Sequence, residues 1–247
     1  MSPDPSSSDA LIRAVGRPVI HVVAAAVTDA ADRVLIAQRP KGKHLAGGWE
    51  FPGGKLEPGE ERIAGLAREL SEELGIALTA NPRPLIRVHH SYPSRDVLLD
   101  MWVVRRYSGE PRGLDGQALR WCTQDELASA DLLPADKPIV KALRLPERLT
   151  QISMPYYGVS DLSSPGNPVG AADADNAARL RGVLCASAAE ATAAARAVAD
   201  FLVMQGALAD EELVELCRTV SVPVYARGPG LEEAWRLGAS GLNEIRA

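Results

Sequence analysis

Three glutamates stand close together at Glu69, Glu72 and Glu73, in the stretch Arg68-Glu69-Leu70-Ser71-Glu72-Glu73-Leu74-Gly75-Ile76. At ~100° per residue of helix, Glu69 and Glu73 lie one turn apart on one flank, with Glu72 beside them. Carboxylates spaced i, i+3 and i+4 repel, and each such pair weakens an isolated helix by a few tenths of a kcal/mol, roughly. A hard divalent cation bound through oxygen offsets that repulsion. The plainer alternative is a solvated acidic face, which three glutamates alone do not exclude.

The surrounding sequence favours the cation. On the same helix Ile63, Leu66, Ala67, Leu70 and Leu74 fall on one stripe that can bury against a sheet, leaving the acidic flank free. The helix is expected from about Glu60 to Leu74, with Gly75 as its C-terminal stop. Before it, Gly53-Gly54-Lys55 and Pro58-Gly59 make a loop that can bring backbone groups and one cation against phosphates. It is not a P-loop, because no glycine-x4-glycine-lysine-serine/threonine string is present.

Strands must carry this loop and helix. Val19–Val27 reads as a buried strand, Asp29–Asp32 as a turn and Val34–Gln38 as the returning strand. Arg83–His90 and Val97–Tyr107 are further strand candidates, and Lys137–Leu143 is a candidate helix. The second part alternates differently. Gly182–Ser187, Asp200–Met204, Val222–Ala226 and Gly241–Ile245 are strand-like. Ala188–Val198, Asp210–Thr219 and Leu231–Leu237 between them are helix-like, the rhythm of parallel strands with crossover helices. The alanine-rich tract from Ala171 to Ala199 also admits a disordered reading.

The 247 residues fit one large domain or two modest ones. At 46% hydrophobic and 24% charged, the composition is that of a soluble globular chain, which sets aside disorder and collagen. Residues 1–145 carry equal numbers of acidic and basic side chains, so the net charge of −5 lies wholly in 146–247. That balance argues against a protein that coats nucleic acid. No apolar run is long enough for a membrane span, and the opening residues lack the pattern of a signal peptide. Residues 1–17 are expected to be a flexible tail. Cys122, Cys185 and Cys217 are odd in number and far apart, which favours buried thiols in a cytoplasmic protein over disulfides or a zinc site. His89-His90 is not a metal pair, since neighbouring strand residues face opposite ways. Trp102 and Trp121 are read as core.

Gly54 to Ile76 fits the Nudix box without a mismatch: glycine, five residues, Glu60, seven residues, then Arg68-Glu69-hydrophobic-x-Glu72-Glu73-x-Gly75-hydrophobic. The chain thus resembles the Nudix family over about residues 19–145. The resemblance implies an α/β (α+β) protein whose first domain, residues 18–145, is an α/β/α sandwich with a mixed sheet. It implies a Mg2+-dependent pyrophosphohydrolase, with Mn2+ as a substitute metal. The likeness is nearest to the MutT group, which hydrolyses oxidised purine nucleoside triphosphates. Trp49-Glu50-Phe51-Pro52-Gly53-Gly54-Lys55 is similar to the lead-in of the box in that group. Arg39 then matches an arginine near the phosphates, Phe51 an aromatic of the base pocket, and Arg95 an arginine near the base. Asp136, in Leu133-Pro134-Ala135-Asp136-Lys137-Pro138, stands where that group carries a purine-reading asparagine.

That exchange matters, because asparagine donates and accepts whereas an ionised aspartate only accepts. Asp136 would repel a carbonyl oxygen of the base unless it were protonated. Its competing reading is an N-cap for the helix that follows. The resemblance further implies a metal site on Glu69, Glu72 and Glu73 with the Gly53 carbonyl. Glu69 or Asp115 would then accept the proton of the attacking water, Arg68 would hold Glu69, and Lys55 would stabilise phosphate charge. Asp115 is one methylene shorter than the glutamate of the family. His44 could approach the substrate or sit in a loop. The expected substrate is 8-oxo-dGTP, released as 8-oxo-dGMP and pyrophosphate. The alternatives are another nucleotide, or a non-catalytic binding or regulatory module, which the full set of glutamates opposes.

Val222-Pro223-Val224-Tyr225-Ala226-Arg227-Gly228 and the residues after it resemble the end of a thiamine-phosphate-synthase (β/α) barrel, and Tyr157–Leu162 could be its first strand. A full (β/α)8 barrel takes about 200 residues or more, so residues 146–247 imply a small, degenerate, non-catalytic βα-repeat domain resembling a partial barrel. Four or five strands are expected. They would leave open edges, to be covered by packing on the first domain or by homodimerisation.

Overall fold

The computed structural model describes residues 18–40, 42, 45–93, 95–154, 157–161, 180–197 and 199–245. The expected tail at 1–17 and His44 lie outside the described residues. The chain divides into two units, residues 1–82 with 88–137, and residues 83–87 with 138–247.

The first unit is a mixed α/β fold. Strand β1 (Val19–Val27) lies at the centre of a four-stranded sheet. It runs parallel to β7 (Arg95–Val104), with Val19 opposite Asp96 and Val27 opposite Val104, and antiparallel to the short β4 (Gly53–Lys55). The sheet is completed by β6 (Arg83–Tyr92). A second sheet joins β2 (Val34–Gln38) to β3 (Trp49–Glu50) and β9 (Leu119–Cys122), and β5 (Ala77–Leu78) pairs with β8 (Tyr107–Ser108). Helix α1 (Arg62–Leu74) packs on β1 and β4.

The burial of α1 follows its sequence. Leu66, Leu70 and Leu74 are wholly buried with Val23, Ala25, Leu35 and Trp102, and Trp121 packs against the same core. Ile63 departs from expectation and is 39% exposed, because the sheet covers the helix only from its second turn onward. Gly75 closes the helix with φ of 70°, its N–H bonded to the Ser71 carbonyl. That left-handed conformation is easy only for glycine. Two short helices follow, α2 (Gln124–Ser129), begun by a Thr123–Glu126 capping box, and α3 (Lys137–Ala142).

The second unit contains a seven-stranded sheet, where four or five strands were expected. β12 (Tyr157–Asp161), β13 (Leu180–Cys185), β14 (Phe201–Met204), β15 (Val224–Ala226) and β16 (Gly241–Asn243) lie side by side in parallel. Helices α4 (Ala188–Ala197), α5 (Asp210–Thr219) and α6 (Leu231–Arg236) connect β13 to β14, β14 to β15 and β15 to β16, as the alternation implied. The extra strands are β10 (Arg148–Leu149), parallel to β16, and β11 (Ser153–Met154), antiparallel to β12. Two residues are too few to show a strand period. The alanines of α4 pack closely, with Ala191 and Ala194 wholly buried. Cys185 is buried and Cys217 half-buried, both free, as is the buried Cys122 of the first unit. No helix among the described residues is long and apolar enough to cross a membrane.

Candidate functional site

A cavity of about 510 Å3 opens in the first unit. Its wall brings together residues far apart in sequence: Gly53, Gly54 and Lys55 from β4, Glu69 and Glu73 from α1, Arg39 just after β2, Glu50 of β3, Phe51, Tyr92 and Arg95 at the facing ends of β6 and β7, and Asp136. Glu72, Arg68 and Asp115 do not line it.

The acidic end is built by a clasp between the glycine loop and α1. Gly53 lies at φ of 147°, and a Cβ there would be driven into the backbone of Val23 and Ala24. Only glycine lets β4 lie this close to β1. A Cβ on Gly54 would strike the Glu69 carboxylate, so that side chain sits directly on the loop. The Gly53 N–H donates to the Glu73 carboxylate at 3.1 Å.

Arg68 organises the rest. It donates through Nε and Nη2 to the two oxygens of Glu60, each at 2.8 Å, and through Nη1 to Glu69 at 2.9 Å and Glu72 at 3.2 Å. Nη2 also donates to the Lys55 carbonyl at 3.1 Å. The fork of Arg68, helped by the Glu57 N–H, holds the Glu60 carboxyl down to about 2. These same contacts keep the Arg68 guanidinium more firmly protonated than usual. Arg68 does hold Glu69, but its main anchor is Glu60, a box position to which the sequence reading assigned no role.

Glu69 and Glu73 face the cavity, whereas the Glu72 side chain is 60% exposed beside it. Among the described residues no three such groups are drawn together as a closed metal cage. The donors nevertheless suit a hard divalent ion. They are carboxylate oxygens next to a glycine loop, with one guanidinium shared among Glu60, Glu69 and Glu72. Asp115 is exposed, on a turn tied to the end of α1. Leu114 N–H and the Gln117 side-chain Nε2 each donate to the Glu73 carbonyl at 3.0 Å, and the Gln117 side-chain Oε1 accepts from Asp115 N–H at 2.9 Å. Gln117 was not singled out from the sequence.

At the other part of the wall, Arg39 forms an ion pair with Glu50. Asp136 closes a 3-10 turn, Pro134–Asp136, and is 5% exposed. Burial first, and the Glu50 carboxylate second, push its carboxyl well above the ordinary range, and Arg39 offsets this only in part. The carboxyl caps no N–H of α3 among the described residues, so the N-cap reading finds no support. Burial also pushes the Tyr92 phenol up. Phe51 is 3% exposed, a core side chain that lends one face to the cavity. His89 is exposed and His90 stacks edge-on against Tyr92 at 4.4 Å, so the two diverge as strand alternation requires.

Comparison with known proteins agrees with this geometry. A profile of the NUDIX domain matches residues 23–142. CTP pyrophosphohydrolase of Escherichia coli (strain K12) is 40% identical over 121 residues, which are 49% of this chain and 88% of that protein. The 8-oxo-dGTP diphosphatase of the same strain is 32% identical over 126 residues, 51% of this chain and 96% of the relative. That of Proteus vulgaris is 42% identical over 91 residues, 37% of this chain and 80% of the relative. With the box, the clasp around Arg68 and these matches in hand, the chain belongs to the Nudix hydrolase family and is an enzyme of it.

Proposed function

We propose that this enzyme is a Mg2+-dependent nucleoside triphosphate pyrophosphohydrolase whose preferred substrate is 8-oxo-dGTP. The observation that carries the reading is the single cavity lined both by Glu69, Glu73 and the glycine loop and by Arg39, Tyr92, Arg95 and Asp136. The first set suits a cation and phosphates, the second a base. The relatives named 8-oxo-dGTP diphosphatase support it.

Glu69 and Glu73 would hold the metal, with Glu72 turning in from the surface and the Gly53 carbonyl assisting. A metal so bound would neutralise charge on the phosphates and make water a better nucleophile. Glu69 would accept the proton of that water, a role supported by its packing on Gly54 and its hydrogen bond from Arg68. Lys55, which lines the cavity, would stabilise the phosphate charge. The exposed Asp115 could serve as base only if its turn moved toward the phosphates.

The test is kcat/KM with Mg2+ for 8-oxo-dGTP beside dGTP and CTP, with products identified. A preference above about 100-fold over dGTP, or ~2.7 kcal/mol, with pyrophosphate released, is expected. Equal, slow turnover of all three would keep the family chemistry and overturn the substrate. CTP is included because the E. coli CTP pyrophosphohydrolase matches this chain at 40% identity.

For the second unit we propose a non-catalytic role. One cavity there, about 240 Å3, has mostly apolar lining, with Asp210 and Arg227 as its charged residues, and the Arg227 guanidinium donates to the Ile245 carbonyl at 3.1 Å. The nearby helix α5 opens with Asp210, Glu211 and Glu212, which disfavour a phosphate at its N-terminus. The full chain should therefore show no coupling of a pyrimidine pyrophosphate to a thiazole phosphate. Robust turnover would overturn this reading.

A further inference from the structure

The central strand pair of the first unit carries polar groups on the face turned away from the cavity. Ile20, Val22 and Ala24 of β1 and Val97 and Leu99 of β7 line the cavity. Strand alternation turns His21 and Asp100 to the other face, where Val23, Ala25 and Trp102 pack with Leu66, Leu70 and Leu74 of α1. There His21 Nε2 lies 2.5 Å from Asp100 Oδ2, and Arg62 Nη1 lies 3.7 Å from Asp100 Oδ1. The Arg62 guanidinium also lies over the Trp102 ring, 5.7 Å from its centroid. The Asp100 side chain is 6% exposed, whereas those of His21 and Arg62 are half-buried. A carboxylate buried among apolar neighbours is costly even when paired, and an apolar residue would pack there at less cost.

We propose that Asp100 is a positioning residue of the hydrolytic site: through His21 and Arg62 it fixes the start of α1 on the β1–β7 pair, and so sets the glycine loop against Glu69 and Glu73. The three side chains come from the three elements that must be held together. The His21 carbonyl accepts from Leu56 N–H at 3.0 Å, just beyond the Val22–Lys55 pair of β1 and β4. Asp100 lies on β7, opposite Val23. Arg62 is the first residue of α1, which has no acidic residue in its first turn and no side-chain cap from Glu61. A cation there opposes the helix dipole, and the Asp100 carboxylate offsets it. None of the three lines the cavity. Glu73 stands about three turns along α1 from Arg62, so a small tilt at the first turn displaces its carboxylate. The bond that reports this is the one from Gly53 N–H to Glu73 at 3.1 Å.

The inference rests on the site described above, whichever nucleotide it takes, and amide exchange tests it without metal or turnover. Hydrogen exchange of Gly53 N–H would be followed by NMR on the full chain at pH 7, with the amides of β2 as reference and the urea midpoint as a check on stability. The proteins are wild type, Arg62→Gln, and the double variant His21→Leu with Asp100→Leu. Replacing a buried pair by apolar side chains leaves stability nearly unchanged, so the double variant should keep its urea midpoint and its β2 exchange. Its Gly53 amide should nevertheless exchange about ten-fold faster, by local opening of the clasp. Its kcat/KM should fall by about ten-fold, as for other groups that orient metal ligands. Arg62→Gln changes only a half-buried side chain, so it folds and decides the matter if the double variant does not; its Gly53 amide should exchange roughly three-fold faster. Unchanged Gly53 exchange in the folded variants, or a rise matched by the β2 amides, would overturn the proposal. If Gly53 loosens as expected while the wild type hydrolyses no nucleoside triphosphate, the assigned reaction fails and the positioning role stands.

Discussion

Glu73→Gln should lower kcat/KM for the Mg2+-dependent reaction by about two to three orders of magnitude while the chain stays folded. The Glu73 carboxylate does two things: it accepts from Gly53 N–H at 3.1 Å, and with Glu69 it supplies the negative charge beside the glycine loop. Glutamine keeps the size and an acceptor for Gly53, so the glycine loop remains clasped. It removes one of these two charges and so weakens the attraction for a divalent ion. Stability should rise slightly, by a few tenths of a kcal/mol, roughly, since the i, i+4 repulsion with Glu69 disappears. A metal titration should show the midpoint for Mg2+ moving to higher concentration, and a chelator should abolish turnover in the wild type. Near-wild-type kcat/KM at low Mg2+ in the variant would defeat the metal assignment.

Glu60→Gln should cost about 10- to 100-fold in kcat/KM, although Glu60 does not line the cavity. Its carboxylate takes both arms of the Arg68 fork, and without it Arg68 is free to swing away from Glu69 and the Lys55 carbonyl. Arg68→Lys should lose a similar factor, because a lysine keeps the charge but cannot span Glu60, Glu69 and Glu72 together. The pH dependence has a definite sign. Glu60 titrates near 4.5 when unperturbed and about 2 in the folded chain, so folding favours its ionised form. The stabilisation is full above about 4.5 and is lost as pH falls through about 2. In urea the variant should therefore unfold earlier than the wild type at pH 7, and the two should converge as pH approaches 2. Equal midpoints at pH 7 with full activity would show that the Glu60–Arg68 fork positions nothing.

Long, strongly patterned elements were legible from sequence because their periods report one dominant environment. β1, β2 and α5 have the bounds that their residues imply, and α1 begins within two residues of its expected start. β3, β4 and β10 have two or three residues each, too few for any period, and are defined by partners distant in sequence. The site divides in the same way. Gly53, Glu69 and Glu73 were found because their spacing is local and chemical. Glu50 and Tyr92 were missed because long-range pairing brings them to the cavity, that of β3 with β2 for Glu50 and that of β6 with β7 for Tyr92, of which no local signal speaks. The upward shift of the Asp136 carboxyl follows first from its burial, which is a property of the folded chain.

The clasp and the central strand pair differ in how much chain each must close. Gly53, Glu60, Arg68 and Glu73 meet within one short stretch of sequence, whereas β1 finds β7 only after most of the domain has been gathered in. Closing a short loop loses less entropy and happens sooner than closing a long one. The catalytic edge can thus take shape as a local hairpin-like unit, to be locked when β1 and β7 join. Such a unit tolerates change in the turn that carries Asp136 and at the start of β7, where Arg95 stands, so that part of the cavity wall can vary while the glycine loop and α1 are kept.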